Sequence, residues 1–179
     1  MATLVAWLTG LSGAGKSTIA AKAAKLLQDS GQKILILDGD AVRSALSPNL
    51  GFSREEIIEN DRRLLALCQR SMPEYDVILV PKISPFKDQR DATRLALGSV
   101  YAEVYIQASL ATVTQRDPKG LYQDFKKGRL PGLVGVAIDV PYEMPENADL
   151  ILDTESYNAE VCASRLVEFL QTRQSINDS

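Results

Sequence analysis

Eight consecutive residues, Gly10-Leu11-Ser12-Gly13-Ala14-Gly15-Lys16-Ser17, carry the groups that bind a polyphosphate. They fit the Walker A pattern of a glycine, four residues, then Gly-Lys-Ser. The glycines let the backbone wrap closely round phosphate oxygens, Lys16 reaches the β- and γ-phosphates, and the Ser17 hydroxyl is a ligand for Mg²⁺. An apolar run, Leu4-Val5-Ala6-Trp7-Leu8, precedes the motif, and a helix-forming segment from Thr18 to Leu27 follows it. That order matters, because a strand must deliver the chain to the loop and the first N–H groups of a helix must face the phosphates. A glycine-rich turn without a ligand is the bland alternative; motif and flanks together speak against it. The segment reads as a nucleoside-triphosphate site.

The chain contains no histidine, which removes imidazole-based triads and imidazole-ligated metals. Carboxylates, hydroxyls, Lys, Arg and a hard cation remain, a set that suits phosphoryl transfer. Asp38-Gly39-Asp40 follows the second apolar run, at a strand end where ligands of open α/β sheets bind. Its two carboxylates can hold Mg²⁺ through water or take a proton from an attacking hydroxyl. A plain Asp-Gly turn with Asp40 capping a short helix is the alternative. Arg43 either meets a substrate anion or is a surface arginine. Ser84-Pro85 ends the third run; Pro85 biases Ser84 toward an extended backbone, and Ser84 either terminates the strand or contacts substrate. Asp88, Arg90 and Arg94 read as a solvated, salt-bridged helix face. No Asp-x-x-Gly signature follows the third strand, which disfavours a GTPase switch, and that strand ends without a Walker B carboxylate. Mg²⁺ then falls to Ser17, phosphates and water, with Asp38 or Asp40 behind them.

These groups need a scaffold. Apolar runs alternate with helix-period segments, the pattern of an α/β fold built on a mostly parallel sheet. Strands are expected at Leu4–Thr9, Lys33–Leu37, Val77–Val80, Glu103–Ile106 and Leu150–Leu152, each covered on both faces. The first helix should run from Lys16 to about Ser30, with Gly31 as its stop. Ser53-Arg54-Glu55-Glu56 has capping-box spacing and should open a helix carrying Ile57, Ile58, Leu64, Leu65 and Leu67. A last helix over Asn158–Gln171 should turn Val161, Leu166, Phe169 and Leu170 inward. The basic stretch Arg116–Pro131, with Lys119, Lys126, Lys127 and Arg129, is either a solvated loop or a lid over the phosphates, and the lid is the preferred reading. At 179 residues the chain suggests one domain, residues 1–174, with a frayed tail at 175–179. A net charge of −3 argues against a nucleic-acid or anionic-membrane partner, and no apolar stretch is long enough to span a bilayer. With no signal-peptide pattern at the N-terminus, the expected location is the cytoplasm. Cys68 and Cys162 read as buried free thiols.

Beyond Walker A, the chain resembles the adenylylsulfate kinase (APS kinase) family almost end to end. The resemblance runs through Trp7-Leu8-Thr9-Gly10, Leu37-Asp38-Gly39-Asp40 with Val42-Arg43, Leu50-Gly51-Phe52-Ser53, and Glu59-Asn60 with Arg62-Arg63. It continues through Ile83-Ser84-Pro85-Phe86 with Asp88 and Arg90, Glu103-Val104-Tyr105, Arg116-Asp117-Pro118-Lys119-Gly120-Leu121-Tyr122, and Pro141-Tyr142-Glu143 with Pro145-Glu146. It implies a three-layer P-loop NTPase fold with a basic lid, and transfer of the ATP γ-phosphoryl to the 3′-hydroxyl of adenosine 5′-phosphosulfate (APS), giving PAPS. ATP and Mg²⁺ are the implied cofactors, a nucleotide the small-molecule acceptor, and a homodimer the implied assembly. By the same resemblance ATP lies on Gly10, Ser12, Gly13, Ala14, Gly15, Lys16, Ser17, Thr18 and Arg116. The acceptor lies on Asp38, Arg43, Phe52, Asn60, Ile83, Ser84, Lys119 and Leu121, with Phe52 stacking on the base and Arg43 on the anionic end. Asp40, Lys16, Ser84 and Lys119 carry the catalytic roles, with Lys119 and Arg116 in the lid. Three positions depart from the family pattern. Ile57 stands where a substrate-binding arginine is usual, Ala41 replaces an asparagine, and Leu133-Val134-Gly135 replaces Phe-Thr-Gly and its aromatic. The departures leave open a relative that phosphorylates another nucleotide-linked hydroxyl. A non-catalytic nucleotide sensor or scaffold is the reading from a different class.

Overall fold

Alternation along the first strand sets the layering. In β1 (Leu4–Thr9), Leu4, Ala6 and Leu8 face one hydrophobic cluster while Val5 and Trp7 face another. A strand buried on both faces belongs at the centre of a sheet, and β1 does. The computed structural model describes residues 3–130 and 132–177. Five parallel strands lie in the order β2-β3-β1-β4-β5, with β2 at Ile34–Ile36, β3 at Val77–Pro81, β4 at Tyr101–Gln107 and β5 at Leu150–Asp153. The expected strands are all present. Full coverage on both faces holds for the three inner strands only. The edge strands β2 and β5 are partly exposed, because nothing lies beyond them.

Helices α1 (Lys16–Asp29) and α7 (Ala159–Asn177) cover one face, packing Ile19, Ala23, Leu27, Leu166 and Leu170 against β1 and β4. On the other face, α3 (Arg54–Ser71) sets Leu64 and Cys68 against Trp7, Ile78 and Val80, beside Leu97 of α4 (Lys87–Leu97). Gly31 stops α1 as read, with φ +88 and its N–H on the Gln28 carbonyl at 2.9 Å. The capping box at Ser53 and Glu56 forms with both reciprocal bonds. Two readings of the last helix change. Val161 is exposed, and Cys162 and Ala163 take the inward positions; the helix also runs on to Asn177, past the expected start of the tail, while Asp178 and Ser179 lie outside the described residues. The short helix offered as an alternative after Asp38 forms as α2 (Gly39–Leu46), and two others, α5 (Leu110–Arg116) and α6 (Leu121–Lys126), were not read as such. α5 ends where the basic segment begins, at Arg116, and α6 lies within that segment, whose final residue, Pro131, falls outside the described ones.

The charged pattern on α4 is the largest correction. Arg90 is 2% exposed rather than solvated, and its Nε donates to Glu103 of β4 at 2.7 Å. Arg94 pairs with Glu103 at 3.2 Å and with Asp149 at 2.9 Å. Spacing along one helix resembled a wet face because the carboxylates that neutralise it come from other elements.

Candidate active site

The strand order reverses at β1, which has β3 on one side and β4 on the other, so a crevice opens at the carboxyl ends of these strands. Walker A occupies it. Gly10 lies so close to β4 that a Cβ there would stand 2.5 Å from the Ile106 carbonyl oxygen. Gly15 turns the chain into α1 at φ +105, a conformation an L side chain resists. Ser12, Ala14 and Lys16 are buried, Gly13 is half-buried, and Ser17 and Thr18 are exposed at the start of α1. Lys16 Nζ donates to the Gly10 and Leu11 carbonyls at 2.8 and 2.7 Å. Burial pulls its ammonium down to about 7, with the Asp40 charge opposing the shift.

Asp38 and Asp40 divide their labour. Asp38, rather than Asp40, caps α2, accepting from the N–H groups of Asp40 at 3.0 Å and Ala41 at 3.3 Å. Its other oxygen accepts the Ser17 hydroxyl at 2.6 Å. A serine hydroxyl and a carboxylate oxygen meeting beside a phosphate loop are hard donors of the kind Mg²⁺ takes, so the residues fit that ion. No larger cluster of carboxylates or thiols suited to a metal occurs among the described residues. The Asp40 carboxylate reaches instead to the ammonium of Lys119.

Lys119 comes from the basic segment. Asp117 adopts φ +24 and Gly120 φ +69, which folds the chain back before α6. The Tyr122 hydroxyl then donates to the Ser12 carbonyl at 2.7 Å, tying α6 to the phosphate loop. Arg116 donates to the Thr154 carbonyl at 2.6 Å and to its hydroxyl at 3.0 Å, beyond the end of β5. Leu121 is half-buried at the start of α6. Lys126, Lys127 and Arg129 are exposed.

A second hollow, of about 50 Å³, adjoins Asp40 and is lined by Gly39, Asp40, Arg43, Phe52, Ile57, Asn60, Lys82, Ile83, Pro85 and Val134. Six residues assigned to substrate or catalysis from sequence, Asp40, Arg43, Phe52, Asn60, Ile83 and (at one remove) Asp38, therefore gather here. Phe52 is 57% exposed, with the Arg43 guanidinium over its ring at 4.3 Å from the centre. Arg43 Nη2 also donates to the Leu50 carbonyl at 2.9 Å and to the Gly51 carbonyl. Asn60 is 2% exposed with its Oδ1 unpartnered. A buried amide oxygen without a partner is costly, which suits a ligand N–H. Ile57, 2% exposed, packs with Phe86, Val140 and Val134 into an apolar wall.

Ser84 stands apart from this group. Its backbone is left-handed at φ +47, not extended as Pro85 suggested, and its hydroxyl accepts the Trp7 indole N–H at 2.7 Å. Arg90 donates to the Ser84 carbonyl at 2.8 Å, so tertiary bonds override the local bias. The strand itself ends three residues earlier, at Pro81. Sequence reasoning missed four residues that shape the site: Asp61, Lys82, Tyr122 and Tyr142, whose hydroxyl meets Thr9 at 2.9 Å. Tyr122 and Tyr142 stood in motifs quoted for the resemblance but without a role, and Asp61 and Lys82 stood in none.

The family model described as adenylylsulphate kinase matches residues 2–153. The adenylyl-sulfate kinase of Bacillus licheniformis is 44% identical over 168 residues, 93% of this chain and 84% of that protein.

This chain belongs to the adenylylsulfate kinase family.

A probable adenylyl-sulfate kinase of Bacillus subtilis is 41% identical over 96% of this chain and 86% of its own. Among solved structures, the Mycobacterium tuberculosis APS kinase in complex with AMPPNP and APS superposes with a TM-score of 0.88 at 34% identity, covering 95% of this chain and 98% of that one. Adenylylsulfate kinases are ATP-dependent phosphotransferases acting on a hydroxyl, so the three-layer P-loop reading of the fold and the enzyme class both stand. Shikimate kinase from Acinetobacter baumannii, at 17% identity and a TM-score of 0.62, shares the fold alone.

Proposed function

We propose that this chain transfers the γ-phosphoryl of ATP to the 3′-hydroxyl of APS, giving PAPS. The observation that carries the reading is the position of Asp40: it lines the acceptor hollow and also meets Lys119 of the lid. It lies where an incoming hydroxyl and a transferring phosphoryl would come together. Asp40 accepts the hydroxyl proton as the oxygen attacks, a new O–P bond forms, and the β–γ bridge breaks to leave ADP. Lys16 and Lys119 place positive charge around the phosphoryl in flight. Ser17, with Asp38 behind it, would hold Mg²⁺, which when bound neutralises the β- and γ-oxygens. Phe52 stacks on the adenine, Asn60 Oδ1 accepts from it, and Arg43 sits toward the anionic 5′ end. Arg116 and Leu121 complete the lid side. Ser84, whose hydroxyl accepts the Trp7 indole N–H, supports the Ile83 corner on this reading.

The relative solved with AMPPNP and APS supports this reading through its near full-length superposition. A cytoplasmic location accords with the ATP requirement, and no helix among the described residues is long and apolar enough to cross a membrane. A homodimer is the proposed assembly. A relative from Thiobacillus denitrificans, 28% identical and matched over 29% of its chain, is hexameric. A second acceptor class has one observation in its favour: Ile57 makes the hollow's wall apolar where the family pattern has an arginine.

A coupled assay of ADP release with APS and a panel of other nucleotides tests the assignment. Turnover is expected with APS; turnover of another nucleotide and none of APS would replace it. Asp40→Ala should lower phosphoryl transfer by about 10²-fold or more while ATP affinity stays near that of the unaltered chain. Unchanged turnover would deny Asp40 this role, and no turnover of any nucleotide by either form would favour the sensor or scaffold.

A further inference from the structure

The floor of the acceptor hollow holds an ion pair that the assigned roles leave unused. Lys82, immediately after β3, places its ammonium 2.5 Å from Asp61 Oδ1 on α3, and the two side chains are only 11% and 9% exposed. An ammonium carries three N–H donors, so the one turned to Asp61 leaves others to turn elsewhere. The lysine stem is held on its other side as well. A Cβ at Gly39 would stand 2.9 Å from Lys82 Cγ, so the glycine of the Asp-Gly-Asp turn is what lets the stem pass.

Stability alone does not account for this pair. Desolvating two charges offsets most of their attraction, and an apolar pair of similar volume commonly does as well or better. Position is more informative. Arg43 and Lys82 are the two cationic side chains lining the hollow, and Asp40 is the one anionic side chain there. The Arg43 guanidinium lies over Phe52 and spends Nη2 on the Leu50 and Gly51 carbonyls. Ile57 lies in the apolar wall and offers an anion nothing. The hollow therefore contains a second positive charge, paired with the Asp61 carboxylate of α3 behind its lining.

We propose that Lys82, oriented by Asp61, binds the anionic 5′ end of the acceptor and so determines acceptor specificity. The assignment rests on the reading of the acceptor as APS; the shared chemistry is a phosphate or sulfate oxygen meeting a buried ammonium. Lys82 is then a substrate-binding residue and Asp61 a positioning residue. This arrangement restores to the pocket, from β3, a charge that position 57 lacks.

The test is the paired replacement Lys82→Met with Asp61→Leu, which leaves no buried charge without its partner. The folded protein should melt at or above the temperature of the unaltered chain. Its KM for APS should rise about ten- to a hundredfold, the factor a charge-assisted hydrogen bond carries, with kcat and the KM for ATP nearly unchanged. The KM for APS should also become less sensitive to salt, one charge contact having gone. Asp61→Asn, which keeps the ammonium and loosens its aim, should give a smaller rise. An unchanged KM for APS in a well-folded double variant would overturn the proposal. So would a fall in kcat at constant KM, which would put Lys82 at the transferring phosphoryl instead. Absence of APS turnover in the unaltered chain would remove the functional reading itself, a result distinct from either.

Discussion

Asp40 and Lys119 meet across the site, yet their side chains are 73% and 56% exposed. A pair so open to water contributes little to stability, typically about 1 kcal/mol or less. On the proposed reading its value lies in placement, since it would bring a base from the acceptor side and a cation from the lid to the same gap. Lys119→Ala should therefore leave the melting temperature almost unchanged and lower kcat more than it weakens ATP or acceptor affinity. Steady-state kinetics beside a thermal melt will show this. Equal kinetics for variant and unaltered chain would reduce Lys119 to surface charge. Asp40 was legible as a candidate because Asp-Gly-Asp follows a strand. The site of Ser84 was not: its hydroxyl is claimed by the Trp7 indole, 77 residues away in sequence, and no local bias foretells that bond.

Elements aim these residues. The first turn of α3 holds Glu56, whose carboxylate accepts from Gly51 N at 2.8 Å and Ser53 N at 3.1 Å and so steadies the loop that carries Phe52. Those two backbone bonds, Gly51 first, hold its carboxyl below the usual glutamate range. A depressed carboxyl stabilises the fold above its unfolded value and loses that contribution as pH falls through the lowered one. The advantage in melting temperature over Glu56→Gln should thus narrow as pH is taken from about 6 to about 3. A gap independent of pH would deny the carboxylate this role. At the lid, Tyr122→Phe strips the Ser12 carbonyl of its partner, a loss of about 1 kcal/mol. The expected consequence is a rise of several-fold in KM for ATP, with little effect on KM for the acceptor. An unaltered KM for ATP would mean that α6 does not brace the phosphate loop. The capping box and the stop at Gly31 were readable because each depends on neighbours within one turn. The short helix α6 was hidden by flanking glycines and charges that usually mark solvated loops.

For the molecule as a whole, the two faces of one sheet share β1, so neither hydrophobic layer has a separate foundation. The sequence has a single tryptophan, Trp7, which is 1% exposed on the α3 side of that strand. Trp7 fluorescence and far-UV circular dichroism, which reports helices of both layers, should follow one urea transition with coincident midpoints. Separated midpoints would divide residues 1–174 into independent units. Buried charge tells the same story at larger range. Arg90 and Glu103, 13 residues apart, and Lys82 and Asp61, 21 apart, meet only because the sheet brings α4, β4, β3 and α3 together.

Sequence alone determined the phosphate loop, the strand–loop–helix order around it, the five strands, the caps and the family, and through the family it named Asp40, Phe52 and Asn60, which line one hollow. Each of these depends on side-chain type and backbone preference over a few neighbouring residues. Tertiary structure decided which charges are buried, that Ser84 turns to Trp7, that Asp38 and Asp40 part company, and that Lys82 enters the acceptor hollow. The reason is physical: a charge or hydroxyl finds its partner through space, and residues far apart in the chain become neighbours only when the sheet closes.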